Sequence, residues 1–161
     1  MMGKSIQIRE ATLKDLPTLL QFEQGIIQAE RPFDPTIRPD PVNYYDLEVL
    51  LSSEESLVVV AETGSQLVAS GYVRIKKARS YLDHEDYAYL GFMYTHPDYR
   101  GQGINAAVID RLRAWALKKG LKEIRLTVYD ENVVALKAYE KYGFKKHIIE
   151  MRLPGQTNDV P

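Results

Sequence analysis

Residues Tyr99-Arg100-Gly101-Gln102-Gly103-Ile104-Asn105 set two glycines between a strand-like run and a long amphipathic helix. The unpaired N–H groups of a helix's first turn and its positive dipole end can hold phosphate oxygens, and glycines let the backbone approach without a Cβ in the way. Arg100 adds a fixed positive charge with fork geometry. The loop lacks the Gly-Lys-Ser/Thr ending of a nucleoside-triphosphate P-loop, and its spacing is not that of a dinucleotide fingerprint. A pyrophosphate gripped mainly by backbone is the chemistry these residues suit.

The longer stretch Pro97-Asp98-Tyr99-Arg100-Gly101-Gln102-Gly103-Ile104 resembles the coenzyme-A signature of the GNAT N-acetyltransferase superfamily, R-x-x-G-x-G/A. Asn105 stands where that signature carries Gly or Ala, so its side chain must turn away from the pyrophosphate or hydrogen-bond to it. Further on, Asn132-Val133-Val134-Ala135-Leu136-Lys137-Ala138-Tyr139-Glu140-Lys141-Tyr142-Gly143-Phe144 resembles the superfamily's other motif, N-x-x-A-x-x-x-Y-x-x-x-G-F. The two stand in the expected order with one strand between them.

The resemblance implies an acetyl-CoA-dependent N-acetyltransferase that moves an acetyl group to a primary amine by direct attack in a ternary complex. It implies that the fourth and fifth strands splay apart and that the pantetheine arm pairs with the fourth at Met93, Tyr94 and Thr95, as an added strand would. A backbone N–H near Met93 would then face the thioester oxygen, an oxyanion contact typically worth about 3 kcal/mol. Arg100, Gly101, Gln102, Gly103, Ile104 and Asn105 would hold the pyrophosphate, and Asn132 would add a hydrogen bond to the cofactor. Tyr139 takes the place of the general acid that protonates the departing sulfur. Read from the residues alone, Tyr139 lies on one helical face with Ala135, Ala138 and Tyr142, where a tyrosine also serves as packing, and Asn132 is a good helix N-cap.

The general base is not marked. Where relatives often place a carboxylate, strand four reads Tyr89-Leu90-Gly91-Phe92-Met93. Glu30 and Asp34, Glu62, and the run His84, Glu85, Asp86 are the candidates, with a water chain as an alternative; Glu30 is carried forward as the catalytic candidate. Glu30 with Phe33 and Tyr44 could also receive a cationic amine. Arg31 and Arg38 argue for an acceptor that carries a carboxylate as well, such as an amino acid or a peptide end. The same loop reads equally as a charged surface segment stiffened by proline. Two rival functions remain: a non-catalytic acyl-CoA sensor or scaffold of the same fold, and a nucleotide-binding domain that would have to prefer ATP without the Lys-Ser/Thr pair.

The elements that must position these groups follow from periodicity. Ser5 to Arg9 alternates as a first strand, and Thr12 with Asp15 resembles a capping box ahead of a helix whose stripe is Leu13, Leu16, Leu19, Leu20 and Ile27. Glu30 to Val42, with Pro32, Pro35, Pro39 and Pro41, is a loop. Asn43 should cap a short helix reaching Leu51. Strands are expected at 57–61, 67–76 and 87–95, the last stopped by His96-Pro97. Ile104, Val108, Leu112 and Trp115 mark the next helix, ended by Gly120. A fifth strand over 123–129, a helix over 132–142 ended by Gly143, and a last strand over 144–153 complete the order. The fold class is thus α/β with a mixed sheet, the GNAT acyl-CoA N-acyltransferase fold, in the order β-α-α-β-β-β-α-β-α-β. Residues 1–154 are expected as one domain, with 155–161 a polar, mobile tail; the open sheet edge would suit a homodimer.

Composition bounds the rest. A chain of 161 residues is long enough for one full core. With 21 basic and 22 acidic residues and a net charge of −1, nothing suggests nucleic acid as a partner. The chain has no cysteine, which excludes disulfides and a thiol nucleophile, and its three histidines form no ligand pair, so no metal is expected. The start of the chain lacks a signal-peptide core and no run is long enough to span a bilayer, so a cytoplasmic protein without membrane contact is expected.

Overall fold

The computed structural model describes residues 5–154. By internal contacts the chain divides into two compact units, Met1–Tyr129 and Asp130–Pro161. The expected polar tail, 155–161, lies outside the described residues.

The first unit is a five-stranded sheet in the order β1 (Ile6–Glu10), β2 (Ser56–Thr63), β3 (Gln66–Lys77), β4 (Asp86–Thr95) and β5 (Ile124–Arg125). The first four strands run antiparallel, and β5 lies parallel to β4. Strand alternation gives the sheet two apolar faces. On one, α1 (Leu16–Glu30) and α2 (Leu47–Ser52) bring Leu19, Phe22 and Leu47 against Val58, Val60, Tyr72 and Phe92. On the other, α3 (Ile104–Lys118) lays Val108 and Leu112 over Gly71, where an added Cβ would come within 2.8 Å of Val108. Gly71 is therefore the place where helix and sheet approach too closely for any side chain.

The first helix carries a carboxylate in its apolar stripe. Leu19, Glu23 and Ile27, at i, i+4 spacing, are each fully buried. Glu23 is satisfied there because it accepts from Asn43 Nδ2 and from the backbone N–H groups of Tyr44 and Tyr45, each at 2.8 Å. A buried acid with three donors pins the proline-rich segment to the helix, and losing it would orphan all three.

Several expected boundaries move, for identifiable reasons. Asn43 does not cap α2, because Glu23 already holds its amide; Asp46 does so, accepting from Val49 N at 3.2 Å. Leu13 belongs to a 3₁₀ turn before α1 and is 64% exposed, so it lies outside the stripe. Glu30 closes α1 instead of opening the loop. Trp115 is half-buried, and Ala116 takes the core position beside it. The fifth strand pairs with β4 only at Ala88–Ile124 and Tyr89–Arg125; beyond that point side-chain bonds replace the ladder, Thr127 accepting from Tyr89 and Tyr129 donating to Asp34.

The second unit holds α4 (Val133–Tyr142). Asn132 caps it, accepting from Ala135 N at 3.2 Å, and Gly143 ends it at φ 128°. The strand expected over 144–153 has no ladder partner within this unit. A strand exists only where another pairs with its backbone, and the other described element of this unit is a helix. The observed order among the described residues therefore ends at α4.

Candidate active site

The glycine loop is built by backbone conformation. After β4, Pro97–Tyr99 makes a 3₁₀ turn capped by the His96 ring, and Gly101 and Gly103 follow at φ 75° and 78°. Positive φ is what requires glycine at both, since an added Cβ would meet nothing within 4 Å at either. Gly103 caps α3, and the first donor of the helix that finds a carbonyl behind it is Ala107 N, on Gly103 O at 3.2 Å. The N–H groups of Ile104, Asn105 and Ala106 thus have no carbonyl partner within the helix, as the first turn of any helix leaves them. Ile104 is buried, so only its backbone can serve a ligand; Asn105 is half-buried. Arg100 is braced through Nε on Thr95 O at 3.2 Å, and Gln102 through Nε2 on Asp98 O at 3.4 Å.

Strand β4 carries the second feature. Between the pairs Tyr72–Gly91 and Ser70–Tyr94, three steps on β4 oppose two on β3, so β4 bulges at Phe92-Met93. Phe92 sits at φ 56°, a conformation that an aromatic residue adopts only when its surroundings impose it. Here Ser70 Oγ donates to Phe92 O at 3.0 Å in the buried core, and the Tyr45 ring packs on Phe92 at 5.3 Å. Met93 turns its side chain under α3, since Gly71 could not carry a Cβ without meeting Met93 Sδ at 2.8 Å. Tyr94 turns the other way and stacks on Phe22 at 4.4 Å. Both side chains thus pack within the fold while each residue stays partly exposed. From Leu90 to Thr95 no strand among the described residues pairs with β4 on the β5 side, which leaves an open ladder edge leading to the glycine loop.

A third group gathers where α1 ends. Glu30 is half-buried and hydrogen-bonded to the Tyr44 hydroxyl, with Asp34 close enough to act on it by charge. Burial, then that neighbouring charge, raises the Glu30 carboxyl above its ordinary value against the lowering effect of Tyr44. Burial and Glu30 likewise push the Tyr44 hydroxyl up, so it stays a donor. Tyr129 donates to Asp34 Oδ2 at 3.0 Å, and its ring lies 6.1 Å from Phe33. The expected trio Glu30, Phe33 and Tyr44 is thus brought together, with Asp34 and Tyr129 added. Sequence reasoning passed over Tyr129, although the polar alternation Arg125, Thr127, Tyr129 beside Ile124, Leu126, Val128 marks it as facing one side of an extended segment.

Three of the other candidate bases have partners of their own. Glu62 is paired with Arg9, Asp86 with Lys77 at 2.9 Å, and His84 lies between Asp83 and Arg125. Arg31 binds Asp40 at 2.7 Å and the carbonyls of Ile37 and Arg38, so it braces its own loop and does not stand ready for an acceptor's carboxylate. In the second unit, the Gly143 and Phe144 N–H groups both bond Tyr139 O, and the Phe144 ring lies 5.8 Å from that of Tyr139. The Gly-Phe pair of the motif is therefore the cap that fixes the turn carrying Tyr139. Among the described residues no group of three or more acidic, histidine or cysteine side chains is arranged to hold a metal. Nor is any described helix long and apolar enough to cross a membrane.

Residues 23–144 match the model of the acetyltransferase (GNAT) family. The chain is 33% identical over 124 residues to the acetyltransferase SG1711 of Sodalis glossinidius, covering 77% of this chain and 80% of that one. A predicted acetyltransferase from Clostridium acetobutylicum, solved with acetyl-CoA, superposes with a TM-score of 0.74 at 22% identity, over 93% of this chain and 96% of that one. AAC(6')-Iy in complex with the bisubstrate analogue CoA-S-monomethyl-acetylneamine does so with a TM-score of 0.69 at 19% identity, over 94% and 99%. Those two structural matches speak for the fold, whereas the family model and the sequence relative speak for the lineage. The chain belongs to the GNAT family and is an N-acetyltransferase.

Proposed function

We propose that this enzyme transfers the acetyl group of acetyl-CoA directly to a cationic primary amine held beside Glu30. The observation that carries the reading is the open β4 edge between the bulge at Phe92 and the glycine loop, which offers an amide-bearing arm a ladder and its pyrophosphate a helix start. In this reading the Met93 N–H, aimed by the bulge, meets the thioester oxygen as charge develops there. Glu30, raised in pKa and hydrogen-bonded to Tyr44, takes a proton from the bound ammonium so that the neutral amine it leaves attacks the thioester carbon, while Phe33, Tyr44 and Tyr129 flank the cation before that transfer. Tyr139 protonates the departing sulfur, and Asn132, whose oxygen caps α4, gives its amide N–H to the cofactor. The reading draws support from the two family motifs, and from a fold neighbour bound to a ligand that joins coenzyme A to an acetylated amine.

Initial-rate kinetics test the order of events. With acetyl-CoA varied against an amine acceptor, direct attack predicts double-reciprocal lines that intersect. Parallel lines would mean an acetyl-enzyme, for which no cysteine is available.

A further inference from the structure

The face of the sheet beyond the Glu30 cluster changes sign. In register, Arg74 lies directly opposite Tyr89 and Lys76 opposite Tyr87, so all four side chains leave the same face. Contacts agree: Lys76 Nζ stands 3.7 Å from the Tyr89 ring centroid, and the Arg125 guanidinium 4.5 Å from that of Tyr87. Arg125 is paired with Glu123 at 3.2 Å and His84 with Asp83 at 2.8 Å, but among the described residues Arg74 and Lys76 form no ion pair with a carboxylate. Two like charges side by side, one of them partly buried, is an arrangement a fold tolerates at a cost. That cost is visible, since burial and then Arg74 lower the Lys76 ammonium below its ordinary value. An anion bound there would relieve both effects.

The basic pair is joined to the amine cluster by one polar path. Tyr89, which carries Lys76 on its face, donates through its hydroxyl to Thr127 Oγ1 at 2.9 Å. Two residues further, Tyr129 donates to Asp34 beside Glu30. An extended step of two residues, a tyrosine side chain and a strand spacing laid end to end bound the separation of the two ends at roughly 18 Å. Resting on the placement of the amine beside Glu30, we infer that the acceptor is bipolar: an amine at Glu30, and an anionic group, carboxylate or phosphate, at Arg74 and Lys76. This differs from the carboxylate recognition that the sequence suggested for Arg31 and Arg38. An extended peptide of three or four residues spans about 10–14 Å from amine to terminal carboxylate and lies within that bound.

The test uses glycine peptides of two to five residues, each as free acid and as C-terminal amide, plus a primary aminoalkyl phosphate of similar span. Binding is read by calorimetry in the presence of coenzyme A, and turnover by thiol release. The wild type is expected to favour acids over amides at least tenfold, most strongly at three or four residues. The double variant Arg74→Gln, Lys76→Met should erase that preference while leaving affinity for the amides unchanged. A phosphate favoured over the carboxylates of equal span would name the anion without moving the site. Equal binding of acids and amides by the wild type, or a preference that survives the double variant, would overturn the inference, as would binding of neither form. Glu30→Gln separates it from the reading beneath: if acid preference vanishes in the double variant but Glu30→Gln affects neither acids nor amides, the anion site stands and the amine placement falls. If Glu30→Gln weakens acids and amides alike and no acid preference exists, the reverse holds.

Discussion

Tyr139→Phe is expected to lower kcat about 100-fold, at the lower end of what a positioned general acid contributes. The ring is retained, so its edge contact with Phe144 and the Gly143 cap persist, and the Michaelis constant for acetyl-CoA should change little. A loss confined to kcat is the signature of an interaction made only in the transition state. Steady-state turnover with any accepted amine measures it. Full activity in the variant would remove Tyr139 from the chemistry and leave it as the packing residue that its helical face also allows.

Glu30→Gln should cost a similar factor in kcat/KM near neutral pH, and its pH dependence has a defined sign. A base works only when deprotonated, and burial raises the Glu30 carboxyl. The wild-type rate should therefore fall on the acid side at a pH above that of an ordinary glutamate, and the variant should lose this limb. Stability moves the opposite way. A carboxyl whose folded pKa is raised contributes stability below its unfolded pKa, and that contribution is lost as pH rises through the folded value. Above that window the wild type carries a half-buried charge that Gln does not, so the variant should melt no lower than the wild type at neutral pH. Lower activity without lower melting temperature, read in one pH series, distinguishes a site residue from a structural one. A variant that melts lower and retains the acid limb would contradict the assignment.

How much of this was legible beforehand depends on the range of the interaction. The glycine loop, the α3 start and the Asn132 cap follow from local rules, and each lies where periodicity and turn chemistry put it. The bulge at Phe92 could not be read, because a left-handed aromatic is held by partners such as Ser70 that are distant in sequence. The role of Glu23 was readable in part: an acid at i, i+4 between Leu19 and Ile27 had to be buried, but its donors come from a loop some twenty residues away. Arg31 misled for the same reason. Its charge was visible, while Asp40 and two carbonyls that consume it were not. The segment expected as a strand over 144–153 has no ladder partner within its own unit, because propensity proposes a strand but the neighbour that pairs with it must come from elsewhere in the chain.

The most direct measurement is a calorimetric titration with acetyl-CoA of the wild type and of Gly103→Val, with ATP as control ligand. Valine at φ 78° is strained, yet an added Cβ there meets no protein atom, so the substitution should disturb the helix start without disturbing the core. Saturable binding of acetyl-CoA by the wild type, weakened tenfold or more in the variant and absent for ATP, is the expected result. Equal binding in the two proteins, or a preference for ATP, would mean that the glycine loop is only a turn and that acetyl-CoA is not held along the β4 edge.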